Sequence, residues 1–182
     1  MKQENNQDFD FKEIITLKPS SINTIVLLVV ATFFGLYYFL IGLNFKLSFV
    51  MITFGLIVLG ITLILKAASA EIHMSFTGNS LIVKRRNEKK VYKTNDITGL
   101  YSINYNVSKS SRIAFEILYS DGTSLHLYDI EFNDKKDDLK NRKLKKFLNT
   151  FLEETGLNEC KKIKSLNLHK MGQYFYYKLN EI

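Results

Sequence analysis

The sequence has one cysteine, one proline and no tryptophan. A lone cysteine, Cys160, cannot form an internal disulfide, and it agrees with a reducing compartment. The three histidines, His73, His126 and His169, have no acidic or cysteine neighbours at the spacing of metal ligands. We therefore expect no metal and no cofactor, and we interpret His73 and His126 as solvated strand residues.

Motifs that carry catalysis are also missing from the sequence. It contains no glycine-rich phosphate loop, no nucleophile elbow and no Walker-type lysine. The adjacent carboxylates Asp137-Asp138 and Glu153-Glu154 diverge by about 100 degrees on a helix, so neither pair converges on a reacting bond. These absences predict that the protein is not an enzyme.

Charge is absent from two long apolar runs. Residues 22–43 and 47–65 contain no Asp, Glu, Lys or Arg. A helix of about 20 apolar residues is long enough to cross a bilayer, and only residues 44–46 separate the two runs. The pattern predicts a transmembrane helical hairpin over residues 21–66. A signal peptide is the alternative for the first run, which is longer than an apolar signal region of about 7–15 residues.

The distribution of lysines predicts the orientation of that hairpin. Lys2, Lys12 and Lys18 precede the first run, Lys46 lies between the runs, and many basic residues follow. Because basic loops favour the cytoplasmic side, we expect a multi-pass protein of the cell (inner or plasma) membrane with both termini in the cytoplasm. Residues 1–20 would be a cytoplasmic tail, and the sequence leaves open whether it is an interfacial helix or disordered.

After Ala70 the hydrophobic period changes from that of a helix to that of a strand. Strands are predicted at residues 71–76, 81–83, 91–92, 97–105, 112–119 and 123–130. Gly99 indicates a bulge, and Asp121-Gly122 is a strong hairpin signal. Alternation assigns one face of a strand to the core: Ile113, Phe115, Ile117 and Tyr119.

One amphipathic helix follows the strands. Its apolar stripe consists of Leu144, Phe147, Leu148, Phe151 and Leu152. Either Asp134 or Asn141 could cap the start of the helix, and Gly156 suits the position just past its end. Residues 157–182 form a basic C-terminal extension, in which residues 173–179 are either an added edge strand or an unpacked tail.

Three patterns resemble a known family. They are the strand–turn–strand at residues 76–83, the polar step into an Ile-led strand at residues 92–97, and the Asp121-Gly122 hairpin before the helix. With the preceding apolar hairpin, residues 71–156 resemble the bacterial PH-domain membrane proteins, including the YcxB-like group. The resemblance implies an α+β fold with a membrane anchor. It would be a transmembrane helical hairpin followed by a PH-like antiparallel β-sandwich or barrel capped by one C-terminal α-helix.

Two basic clusters are the candidate lipid- or partner-binding residues. They are Lys84, Arg85, Arg86, Lys89 and Lys90 beside the second predicted strand, and Arg142, Lys143 and Lys146 on the helix. Each cluster is either a solvated face or a surface for anionic lipid, to which a Lys or Arg near the leaflet contributes about 1 kcal/mol. Aromatic residues are not interleaved with the basic run, so no nucleic-acid partner is expected.

These observations predict a non-enzymatic interaction module at the inner face of the membrane. It would be integral to the lipid and would bind a protein partner or assemble with its own copies as a homo-oligomer. Two alternatives stay open. One is binding to the anionic lipid surface through the basic strand and turn, and the other is an immunity-type membrane protein.

Overall fold

The computed structural model describes residues 7–17, 19–42, 47–108, 110–129, 137–164 and 172–178. The chain divides into two compact units, Leu17–Ser69 and a second unit made of Met1–Thr16 with Ala70–Ile182. The first is helical, and we call it the apolar unit. The second contains all the strands, and we call it the sheet unit.

The apolar unit contains two helices, α1 (Pro19–Gly42) and α2 (Leu47–Ala68). They contact each other through the rings of Phe33 and Phe54, whose centroids are 4.7 Å apart. The hydroxyls of the threonines donate to carbonyls one turn earlier: Thr32 to Leu28, Thr53 to Phe49 and Thr62 to Val58. These polar side chains are therefore satisfied within their own helices.

The two helices differ in the length of their apolar stretch, and this corrects the predicted anchor. One stretch among the described residues, Met51–Ala68 in α2, is long and apolar enough to cross a membrane. In α1 the apolar stretch is Leu27–Phe39, about 20 Å at about 1.5 Å per residue, against a hydrocarbon core of about 30 Å. The predicted two-span hairpin, and with it the multi-pass topology, is not supported. The predicted turn at residues 44–46 lies outside the described residues.

Among its described residues the sheet unit contains nine strands, one α-helix and a short 3-10 helix (Thr94–Asp96). They are β1 (Gln7–Ile15), β2 (Ala70–Thr77), β3 (Ser80–Arg85), β4 (Glu88–Lys93), β5 (Ile97–Ile103), β6 (Ala114–Tyr119), β7 (Ser124–Asp129), α3 (Asp138–Thr155), β8 (Glu159–Lys162) and β9 (Gln173–Tyr177). The strands form one antiparallel sheet in the order β4-β3-β2-β1-β7-β6-β5-β9-β8.

The position of β1 shows that the predicted PH-like fold is wrong. This strand precedes the apolar helices in sequence, yet it lies inside the sheet between β2 and β7. The reason is in residues 7–15, where Phe9 and Phe11 are buried and the residues beside them, Asp8, Asp10 and Lys12, are exposed. This period-two pattern is that of a half-buried strand, and it was overlooked in the N-terminal segment.

The end of the chain departs from the PH-like prediction as well. Instead of ending at a capping helix, the sheet continues through β9, which pairs with β5 and with β8. Tyr176 of β9 is buried opposite Leu100, with 5% of its surface exposed. Of the two alternatives left open for residues 173–179, the added strand is the one observed, and it is not at the edge of the sheet.

Several local predictions are confirmed. The strands expected between residues 71 and 130 correspond to β2 to β7, and the register of β5 shifts between Ile97 and Gly99, as expected of a bulge. Gly122 has φ 78° in the β6–β7 turn, and Gly156 has φ 70° after α3. Asp137 caps α3 by accepting hydrogen bonds from the amides of Leu139 and Lys140. The predicted cap Asn141 is wrong, because this residue lies inside α3, and the alternative, Asp134, lies outside the described residues.

The core lies between one face of the sheet and α3. Phe147 is fully buried at its centre, with ring centroids 5.1 Å from Phe9, 5.1 Å from Phe11 and 4.9 Å from Phe115. The strand face predicted to point inward is confirmed, because Ile113, Phe115, Ile117 and Tyr119 are all buried. Burial of these rings by α3 fixes the helix across β1.

Candidate functional site

A groove lies between β1 and α3 in the sheet unit. Its volume is about 440 Å³. We call it the β1–α3 groove. It is lined by Asp10, Phe11, Lys12, Glu13, Ile113, Asp129, Asp137, Leu139, Lys140, Lys143 and Leu144. The lining combines apolar side chains with charges of both signs.

Irregular backbone in β1 shapes one wall of this groove. The register of β1 against β2 shifts between Phe11 and Ile14. Glu13, within that shift, has φ 56°, a left-handed conformation that residues other than glycine seldom adopt. A bulge bends its strand and redirects side chains, so it places Lys12 and Glu13 at the groove.

The N-terminus of α3 forms the opposite wall and is held in place by Ser111. The Asp137 amide donates to Ser111 Oγ over 2.8 Å, and Ser111 Oγ donates to the Asp137 carbonyl over 3.0 Å. The Asp137 carboxylate caps the helix over 3.0 Å to each of two amides. Leu139 follows this cap and is 77% exposed, so a large apolar side chain stands at the mouth of the groove.

Asp129 is the buried charge of the groove. Its side chain is 4% exposed, and Oδ2 accepts from Lys140 Nζ over 3.1 Å and from the Ile113 amide over 2.8 Å. Burial raises the pKa of the Asp129 carboxyl above 3.8, although the amide of Ile113 and the charge of Lys140 oppose the rise. The pair fixes α3 to the end of β7.

The helical basic cluster is divided by the structure. Lys143 lies at the groove, where its ammonium is 5.5 Å from the centre of the Phe11 ring and donates to the Asp10 carbonyl. Arg142 and Lys146 are exposed and do not line the groove. Of the three helical candidates, Lys143 is therefore the one that the fold brings to a concave site.

A charged patch on the opposite face of the sheet was not found from the sequence. His73 Nδ1 lies 2.5 Å from Asp10 Oδ1, and its Nε2 lies 3.6 Å from Asp8 Oδ1. The hydrogen bond with His73 lowers the pKa of Asp10 below 3.8. Asp10 and His73 are 63 residues apart, so only the pairing of β1 with β2 shows that they are partners.

The histidine predictions are only partly correct. His126, expected to be solvated, is buried with 6% of its surface exposed, and its Nε2 lies 3.0 Å from Ser124 Oγ. His73 is partly exposed but is paired with carboxylates, and His169 lies outside the described residues. Within the described part of the chain no three His, Cys, Asp or Glu side chains are arranged to hold a metal ion.

The other basic cluster surrounds the end of the β3–β4 hairpin. Lys84 pairs with Lys89, Arg85 with Glu88, and Val83 with Lys90. Because neighbouring strand residues point to opposite faces, Lys84 and Lys89 lie on the face away from α3, whereas Arg85 and Lys90 lie on the other face. Arg86 is in the turn, with φ 50°. We call these five residues, Lys84, Arg85, Arg86, Lys89 and Lys90, the basic turn.

Comparisons with protein-family models, curated proteins and solved structures found no match to this chain. The resemblance to bacterial PH-domain membrane proteins therefore has no support from a family match. The arrangement of the sites has to be interpreted from their own chemistry.

Proposed function

We propose that this chain is a non-enzymatic, membrane-anchored interaction module, in which the apolar unit is embedded in lipid and the sheet unit binds a partner. The observation that carries the proposal is the surface of the apolar unit. Among the described residues, sixteen large hydrophobic side chains of α1 and α2 are exposed, from Tyr38 at 73% to Leu36 at 37%. Soluble monomers seldom expose apolar patches larger than a few hundred Å².

The composition of this surface favours lipid over a protein partner as its surroundings. None of the residues of α2 between Met51 and Ala68 is buried, so its apolar side chains face outward on all sides. A helix that docks on a protein partner usually has one apolar face and one polar face. The threonine hydroxyls bond within their own helices, which removes the cost of placing them in hydrocarbon.

The sheet fixes where the two ends of the apolar unit emerge. The chain leaves β1 at Ile15 and returns at Ala70, and Ile14 pairs with Ala70 across neighbouring strands. This pairing supports the proposal that both ends of the apolar unit lie on the same side of a bilayer. The excess of basic residues in the sheet unit favours the cytoplasmic side, and we propose that the module lies at the inner face of the membrane.

We assign the binding of a protein partner to the β1–α3 groove. Its lining offers hydrophobic contact through Phe11 and Leu139 and charge pairing through residues such as Lys12 and Lys143. The edges of the sheet are poorer binding surfaces, because Lys89, Lys90 and Lys93 lie on one edge strand and Lys161 and Lys162 on the other. Charged edge strands discourage pairing with another strand.

Extraction from membranes tests the anchor. The full chain should remain with membranes in high salt and in alkaline carbonate and be released by detergent. Leu56→Lys with Leu59→Lys should weaken this retention, since a lysine in the hydrocarbon at the centre of an embedded helix costs about 2.5–3.5 kcal/mol. Val91→Lys with Val107→Lys, at exposed positions of the sheet unit, is the matched control and should leave retention unchanged. A wild-type chain recovered in the soluble fraction would contradict the anchor.

Photocrosslinking from the same membranes tests the groove. A photoreactive residue at Leu139 should give a discrete crosslinked product that Lys12→Glu reduces, because the substitution reverses a charge at an exposed position of the groove. A photoreactive residue at Val107, which is 74% exposed outside the groove, should give none. Equal products from both positions would exclude the groove as the binding site.

A further inference from the structure

We propose that the basic turn contacts the anionic headgroups of the membrane in which the apolar unit is embedded. This inference rests on the anchor proposed above and specifies what the sheet unit contacts at the membrane surface. Three observations carry it: the position of the basic turn relative to Ala70, the distribution of its charges, and the place of β4 at the edge of the described sheet.

The register places the basic turn at the end of the sheet where the chain arrives from the apolar unit. Arg85 pairs with Ile72, two residues after Ala70, and Lys84 pairs with His73. At about 3.3 Å per residue, these positions are about 7 and 10 Å along β2 from Ala70. The Debye length at physiological salt is about 8 Å. If Ala70 is where the chain leaves the lipid, Arg85 lies within one Debye length of the headgroup charge and Lys84 lies slightly beyond it.

The charges of the basic turn lie on both faces of the hairpin and at its tip. Lys84 and Lys89 are on one face, Arg85 and Lys90 are on the other, and Arg86 is in the turn between them. A flat ligand, such as a nucleic-acid strand or a folded partner, contacts one face of a hairpin. A headgroup layer surrounds the tip and neutralises charges on both faces, so this distribution favours a lipid surface.

Basic residues outnumber acidic ones around the turn. Glu71 and Glu88 are acidic residues beside it, and Asp10, on the same face as Lys84, is bonded to His73. Lys84, Arg86, Lys89 and Lys90 are exposed. Strand β4 is the first strand in the sheet order, so no further strand among the described residues covers its outer edge.

Enrichment of anionic lipid around the turn tests the proposal on the full chain. A donor fluorophore is attached at Asn87→Cys, an exposed turn position, in a Cys160→Ser background that removes the native thiol. The protein is reconstituted in phosphatidylcholine vesicles that contain a minority of phosphatidylserine. Energy transfer is compared between acceptor-labelled phosphatidylserine and acceptor-labelled phosphatidylcholine, each at trace level, and their ratio measures local enrichment.

We expect a ratio of about three to ten in low salt, since one fully engaged basic residue favours the anionic leaflet by about fivefold. The ratio should fall towards one in high salt. It should also fall towards one when Arg85, Arg86, Lys89 and Lys90 are replaced by Gln. The control removes the same number of charges elsewhere by replacing Lys145, Lys146, Lys161 and Lys162 with Gln, and it should keep the wild-type ratio. Near-ultraviolet circular dichroism verifies that both variants are folded.

The outcomes separate this inference from the anchor. Wild-type protein that does not float with the vesicles overturns the anchor, and with it the basis of the inference. Wild-type protein that floats but gives a ratio of one, or that gives the same ratio in both charge variants, overturns the headgroup contact and leaves the anchor intact.

Discussion

At the scale of single residues, two charged pairs join separate elements of the sheet unit. Asp129 and Lys140 join β7 to α3, and Asp10 and His73 join β1 to β2. In the first pair burial dominates and raises the carboxyl pKa, whereas in the second pair a hydrogen bond at the surface lowers it. Two carboxylates in one small unit are therefore expected to respond to pH in opposite directions.

Asp129 gives a prediction with a defined sign. Its pKa is raised on folding, so its contribution to stability is present in full below 3.8 and is lost as the pH rises through the folded-state value. Asp129→Asn cannot take up this proton. The melting temperature of the wild type minus that of Asp129→Asn should therefore increase as the pH is lowered from 7 towards 4. Thermal unfolding in mild detergent, followed by circular dichroism, measures the difference.

The control for this experiment is Asp138→Asn, at an exposed position in the first turn of the same helix. The free energy of unfolding of Asp138→Asn should differ from that of the wild type by less than about 0.5 kcal/mol, as for most surface substitutions. If the difference in melting temperature between the wild type and Asp129→Asn becomes smaller on acidification, Asp129 is not buried as described.

At the scale of elements, β1 decides the architecture of the sheet unit. It pairs with β2 on one side and β7 on the other, so without it the strands β4-β3-β2 and β7-β6-β5-β9-β8 lose their connection. Phe9 and Phe11 contribute two of the rings around Phe147. The N-terminal segment, expected to be a separate tail, is thus a central part of the core.

Phe11→Ala tests the role of β1. Phe11 is 4% exposed and contacts the Phe147 ring at 5.1 Å, so its truncation leaves a cavity and should lower the free energy of unfolding by about 3–5 kcal/mol. Lys12→Ala, at the neighbouring exposed position, should change it by less than about 0.5 kcal/mol. Urea unfolding in mild detergent compares the two. A Phe11→Ala variant as stable as Lys12→Ala would show that β1 is not packed on α3.

At the scale of the whole molecule, the apolar unit separates β1 from the other strands in sequence, but β1 and the other strands form one sheet in the folded structure. Because β1 and β2 are neighbours, the segments before and after the apolar unit form one folded body. The connectivity requires that both segments occupy the same compartment. This constraint is independent of how deeply α1 and α2 enter the bilayer.

Labelling of single cysteines tests this constraint. Cys160 is exposed in β8, and Lys12→Cys in a Cys160→Ser background places a thiol in β1. We expect a membrane-impermeant maleimide to leave both thiols unmodified in intact cells and to modify both after permeabilisation, since we propose that the sheet unit is cytoplasmic. Labelling of one site but not the other in intact cells would exclude a sheet shared by β1 and β2.

The sequence by itself determined the local features of this protein. The uncharged runs correspond to α1 and α2, alternation located β2 to β7, and Gly99, Gly122 and Gly156 occupy the predicted bulge, turn and helix end. These features depend on backbone preferences and on hydrophobic period within a few neighbouring residues, which a single sequence records directly.

Features that depend on pairing between distant segments are visible only in the folded structure. In the folded structure β1 and β9 lie inside the sheet, and His126 is buried. Asp10 is paired with His73, and Asp129 with Lys140. One basic run is divided between the two faces of a hairpin. Periodicity shows that a strand has an apolar side but not which strand it will pair with, because that choice depends on the summed burial of residues far apart in the chain.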